Sequence, residues 1–183
     1  MPHFDAKAAV AAWIGLRRSE EMMQRVTDGW FREHVSVLTT APYFENLVSR
    51  FAPRFEQLPD GRQGYLFSLP LGEGRYPLIA LDDIAWFADH VLEHWQSWGA
   101  RDLAVVGDGP TGDEIAATFE AVTAIPTAYA PMPLDVVEAV PVVGHDYAGL
   151  ARFMQHRDVV GKDRDLALLR RIHPGLMLSL IHI

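Results

Sequence analysis

The strongest constraint on the fold is one helical period. From Asp82 onward, apolar residues stand at Ile84, Phe87, Ala88, Val91, Leu92 and Trp95, in an i, i+3, i+4, i+7, i+8, i+11 pattern. That spacing puts them on one stripe of an α-helix and predicts a helix over residues 82–98 with one buried face. Asp82 and Asp83 suit its positive end, and Gly99 suits its stop. Short β-branched runs flank it. Residues 34–40 (H-V-S-V-L-T-T), 64–69, 103–106 and 127–130 read as strands. Residues 8–14 are alanine-rich and continue a helix as far as Gly29. Residues 44–51, 111–124, 145–154 and 163–172 read as further helices, and 131–141 holds one helical turn among prolines. Strands alternating with helices make this an α/β protein.

The bulk properties narrow the class. A chain of 183 residues accommodates one ordinary domain. A formal net charge of −8 disfavours nonspecific binding to a phosphate backbone. With no cysteine, disulfides and thiolate chemistry are excluded. No run approaches ~20 apolar residues, and the amino terminus lacks the pattern of a secretory signal. These features predict a cytoplasmic protein with no membrane and no direct nucleic-acid partner.

Two motifs invite functional readings that their contexts oppose. Gly107, Gly109 and Gly112 form a G-x-G-x-x-G after a strand and before a helix, the order of a dinucleotide fingerprint. Thr111 and Glu114 supply a capping box that accounts for the helix start. Pro110 removes an amide from the loop. No acid follows the next strand to hold a ribose. His90, Glu93 and His94 match H-x-x-E-H, a zinc pattern on a helix. Both histidines lie off the apolar stripe, where solvated residues belong, and no third ligand follows. No metal site is expected.

Two other segments carry a resemblance. The chain opens P-H-F-D-A-K, with His3 and Lys7 four apart, and later reads Pro42-Tyr43-Phe44-Glu45-Asn46. In their order, with Leu58-Pro59-Asp60-Gly61, the Asp82 helix start and Gly112-Asp113-Glu114-Ile115, these resemble the NmrA-like family of atypical short-chain dehydrogenases, which bind NAD(P). The resemblance covers residues 2–176. It implies a partial NAD(P)-binding Rossmann-like domain lacking its amino-terminal nucleotide half, with a smaller α/β carboxyl-terminal substrate or partner region.

The same resemblance implies the site. Lys7 would hold the nicotinamide ribose, and His3 stands where ordinary members carry a proton-donating tyrosine. Tyr43, Phe44, Glu45 and Asn46 would bind the cofactor, an aromatic face packing on the nicotinamide and Asn46 hydrogen-bonding it. Beside this stands the plain reading, in which Phe44 belongs to the core, Glu45 serves a helix dipole and Lys7 is a surface lysine. The cofactor implied is NADP or NAD, held by a full-length parent and weakly or not at all by this chain. Three function classes follow: a redox sensor acting through a regulatory protein partner, an NAD(P)H-dependent reductase of quinone or isoflavone type, and a noncatalytic interaction module. Residues 19–32 depart from the family as an insertion. The apolar tail 177–183 reads either as a last strand or anchor, or as an artificial end of the coding sequence.

Overall fold

The structure is a computed structural model that describes residues 2–177, with side chains from Phe4 onward. These residues fall into two compact units. One comprises the chain up to residue 39 with residues 85–104; the other comprises residues 40–84 with the chain from 105 onward.

In the first unit, α1 (Pro2–Met23) ends earlier than its alanine-rich start predicts, and α2 (Trp30–His34) folds back beside it. The cause is Glu21. Its carboxylate accepts the Phe31 and Arg32 backbone N–H groups at 3.0 and 2.9 Å, capping α2 from α1. Arg18 completes the tie. It donates to the Val35 carbonyl at 2.6 Å and to Asp102 Oδ1 at 2.8 Å. These two side chains hold the turn after α1 and the short α2. Trp13 and Phe31 pack edge to face at 5.1 Å.

The predicted strand at 34–40 forms as β1 (Val37–Thr39). It pairs in parallel with β4 (Asp102–Ala104), Leu38 opposite Leu103. Between them in sequence run α3 (Leu81–Glu93) and the short α4 (Trp95–Trp98). The stripe holds at Phe87 and Val91, which are buried, and fails at Leu92, 66% exposed. The single helix expected over 82–98 breaks at His94, whose ψ of 37° leaves the helical region. There the Trp95 indole N–H donates to the Glu33 carbonyl at 2.9 Å, a tertiary bond that helical periodicity does not encode.

The second unit is built on a mixed sheet of β2 (Arg54–Gln57), β3 (Gln63–Phe67) and β5 (Thr127–Tyr129). β2 and β3 run antiparallel through the Asp60-Gly61 turn; β3 and β5 are parallel. The helix α5 (Gly112–Thr123) packs across β3 and β5. Phe119 meets Tyr65 and Phe67 edge to face, each at 5.4 Å. Next come α6 (Leu134–Glu138), α7 (Gly144–His156), α8 (Val159–Asp163) and α9 (Leu166–Ile172). The helix expected over 163–172 is α9, which starts three residues later where Asp165 caps it, and α8, capped by Asp158, is a short helix that sequence reading does not anticipate. The core gathers Phe44, Leu47, Phe67, Leu69, Leu71, Tyr76, Leu78, Ile115 and Met154. The α/β class is as expected. Residues 178–183, most of the apolar tail, lie outside the described residues.

Candidate functional site

The segment from Pro42 to Asn46 is pinned by its backbone. Phe44 donates its N–H to the Ile79 carbonyl at 3.1 Å, and Ile79 donates to the Pro42 carbonyl at 3.0 Å. The helix expected after Pro42 is a 3₁₀ helix, Phe44–Val48, tightened by these bonds. This geometry sorts the four side chains. Phe44 is 2% exposed and lies in the core. Its ring packs against the core residues, as the plain reading of this segment has it. Glu45 Oε1 accepts the Leu81 backbone N–H at 3.0 Å, so the carboxylate serves the positive end of α3. Its other oxygen, Oε2, is enclosed and without a hydrogen-bond partner among the described residues. Tyr43 stays 38% exposed. The Asn46 side chain makes no hydrogen bond among the described residues, although its backbone carbonyl accepts Phe51 N–H at 2.7 Å. Of the four side chains, Tyr43 is exposed and Asn46 is half-buried.

Lys7 stands exposed on α1 in the first unit, with no carboxylate at ion-pair distance among the described residues. His3 falls in the first turn of the same helix, and its side chain lies outside the described part. Lys7 and the 43–46 segment belong to different units.

The G-x-G-x-x-G loop is saturated by the protein itself. The N–H groups of Gly107 and Asp108 both donate to the Leu78 carbonyl, at 2.8 and 3.0 Å. Gly109 N–H donates to Asp108 Oδ1 at 2.8 Å, and Thr111 N–H to Glu114 Oε2 at 2.8 Å. Pro110 has none to give. A phosphate would find no free amide over residues 107–111, whereas a dinucleotide loop presents several. The last glycine has a packing reason: a Cβ at Gly112 would fall 2.4 Å from the Tyr129 ring.

His90 and His94 stack ring on ring at 4.3 Å, and Trp86 stacks on His90 at 4.8 Å. His94 Nδ1 lies 3.0 Å from the His90 carbonyl. Parallel rings do not converge on one ion. No group of three or more candidate metal ligands occurs among the described residues.

Sequence reading does not find one buried pair. Asp83, read as a helix-start acid, accepts from His173 Nε2 and from the Met177 backbone N–H, both at 3.1 Å. The only local signal is an aspartate in a helical first turn, which normally faces water.

Comparison with known proteins places this architecture. No protein-family model and no curated protein matches the sequence. Solved structures do match. A nucleoside-diphosphate-sugar epimerase from Staphylococcus aureus aligns with a TM-score of 0.61 at 17% identity, over 80% of this chain and 50% of that one. NmrA, a negative transcriptional regulator solved with NAD, aligns with a TM-score of 0.57 at 15% identity, over 82% of this chain and 52% of its own. The fold is NmrA-like. A third match, the Citrobacter sp. triphenylmethane reductase complexed with NADP(H), has a TM-score of 0.56 at 15% identity, over 78% of this chain and 49% of that one. The chain spans about half the length of these structures. At such identities the likeness concerns the fold. No described helix is long and apolar enough to cross a membrane.

Proposed function

We propose that this chain is the carboxyl-terminal portion of an NAD(P)-binding NmrA-like protein, and that the parent is a cytoplasmic redox-responsive regulator that acts through a protein partner. The observation that carries the reading is the shared fold with structures solved with NAD, NADP and NADP(H). The side chains left open agree with it. The Tyr43 face would pack on a nicotinamide ring, and the Asn46 amide would hydrogen-bond its carboxamide or ribose. Glu45 would support this segment from behind, with Oε1 given to the Leu81 N–H and Oε2 enclosed. Lys7 would hold the ribose hydroxyls with its ammonium group.

The regulator reading rests on His3, which stands where a proton-donating tyrosine serves ordinary dehydrogenases. Cofactor binding kept while the acid changes suits a switch, in which the dinucleotide binds two conformations unequally. The reductase reading is favoured by the triphenylmethane reductase among the structural matches. In that case His3 or water would deliver the proton.

The test uses the parent with its upstream half, measuring NADPH binding by calorimetry and NADPH oxidation against quinones and small carbonyls. Tight binding without turnover supports the regulator. Turnover of about 1 per second or faster, lost on Lys7→Ala, supports the reductase. No binding of either dinucleotide would overturn both.

A further inference from the structure

Residues 173–177 form a strap over the start of α3. His173 follows α9, and its N–H still donates to the Leu169 carbonyl at 2.8 Å. Pro174 and Gly175 then turn in the open, and Leu176 N–H closes the turn on the His173 carbonyl at 3.0 Å. Leu176 enters the interior at 4% exposure, and Met177 packs on the core cluster. Two hydrogen bonds tie the strap to α3, and one carboxylate accepts both. Asp83 Oδ1 takes His173 Nε2, and Oδ2 takes Met177 N–H, each at 3.1 Å. Two ties on one residue make a latch that a single change opens.

The strap fills space beside the 43–46 segment. Gly107 has no side chain, and the Met177 carbonyl stands 2.9 Å from where its Cβ would be. Cε2 of the Phe44 ring lies 3.4 Å from the same point. Glycine backbone and aromatic ring thus line a slot that Met177 occupies. Gly107 follows the carboxyl end of β4 in the chain, and open α/β sheets take their ligands at such ends. The segment and the strap also share one support. The first turn of α3 gives its Leu81 N–H to Glu45 Oε1 at 3.0 Å and, two residues on, its Asp83 carboxylate to the strap.

We propose that the strap is an autoinhibitory contact: it fills the slot at Phe44 and Gly107, and a nicotinamide ring entering beside Tyr43 displaces it. Resting on the dinucleotide reading, this adds regulation to the same site. The exposed Pro174-Gly175 turn is the hinge, since a few residues at the end of an element absorb such a swing. Only molecules with the strap open are competent to bind. The apparent dissociation constant is therefore the intrinsic one divided by the open fraction. Opening the latch raises that fraction and tightens binding in proportion.

The full chain is titrated with nicotinamide mononucleotide, which carries the ring and ribose without the adenylate half, and amide hydrogen exchange is followed by NMR. Asp83→Asn opens the latch from one side. Gly107→Ala presses on the Met177 carbonyl from the other. Each variant is expected to bind the mononucleotide about tenfold tighter than the unaltered chain. Arg171→Gln, an exposed change on α9, leaves affinity as it was. Saturating mononucleotide should speed exchange of the Met177 amide while the Ile115 amide of α5 keeps its protection; a strap that is only structural would show no such release. Equal affinity in the folded variants and the unaltered chain, or binding that leaves Met177 exchange unchanged, overturns the strap and leaves the dinucleotide reading standing. No binding to either variant at millimolar mononucleotide also overturns the strap, and the dinucleotide reading is then decided by the parent's own binding.

Discussion

Asp83 Oδ1 lies 3.1 Å from Nε2 of His173, a residue 90 positions further along the chain. With Oδ2 accepting the Met177 N–H, the start of α3 anchors the segment after α9. Met177 in turn packs on the core cluster, and its carbonyl lies 2.9 Å from where a Cβ would stand on Gly107. Both partners are largely buried, with side-chain exposures of 7% for Asp83 and 15% for His173. Asp83→Asn loses the charge and forces an amide N–H against a donor. A loss of about 1.5–3 kcal/mol is expected. For a chain of this size that lowers Tm by roughly 3–12 °C. An unchanged melting curve would show the pair to be dispensable.

Glu21 is the only cap on the Phe31 and Arg32 amides among the described residues, because Gly29 at the N-cap has no side chain to offer. Glu21→Ala should cost about 1–2 kcal/mol and release α2. Hydrogen exchange reads this directly: the amides of Phe31 and Arg32 should lose protection while those of α5 keep theirs. Uniform protection across both helices would contradict the assignment.

Gly112→Ala places a methyl where the Tyr129 ring stands, at 2.4 Å. Overpacking of this kind costs about 1–3 kcal/mol. The urea midpoint should fall, with the slope unchanged. Were this glycine instead part of a phosphate loop, the substitution would change dinucleotide affinity and leave stability alone.

Alkaline pH tests the buried phenols. Burial holds both Tyr76 and Tyr129 at about 12 in the folded chain, above the usual 10. A raised folded value means that the native state keeps its proton after the unfolded chain has lost it. Their contribution to stability is complete below pH 10 and is lost as pH rises from 10 to 12. Absorbance at 295 nm should show Tyr76 and Tyr129 ionising late, together with alkaline unfolding. Ionisation of Tyr76 and Tyr129 near pH 10, with the fold intact, would refute this.

NADPH should bind this chain more weakly than micromolar. The amides over residues 107–111 are already committed to protein acceptors, so that loop cannot receive the pyrophosphate. Calorimetry on the chain alone decides it; a micromolar Kd would disprove the expectation.

The sequence by itself determined the features that depend on near neighbours in the chain. The 3.6-residue period placed α3, because apolar spacing along a helix is local geometry. Thr111 and Glu114 marked the start of α5, because a capping box spans one turn, and both its bonds are present. Pro110 and that box already argued against reading the G-x-G-x-x-G as a phosphate loop.

The tertiary structure alone decided what distant residues do to one another. Glu45 reads identically as a cofactor contact or a helix-start acid until Leu81 N–H is seen to occupy one of its oxygens. Phe44 is aromatic in either role, and only the core around it settles which face it shows. The end of α1, the break at His94 and the Asp83–His173 pair each depend on one hydrogen bond to a residue at least 10 positions away. No periodicity records such a bond. It forms because folding brings a buried donor to an acceptor, and leaving either one unpaired would cost more than bending the local pattern.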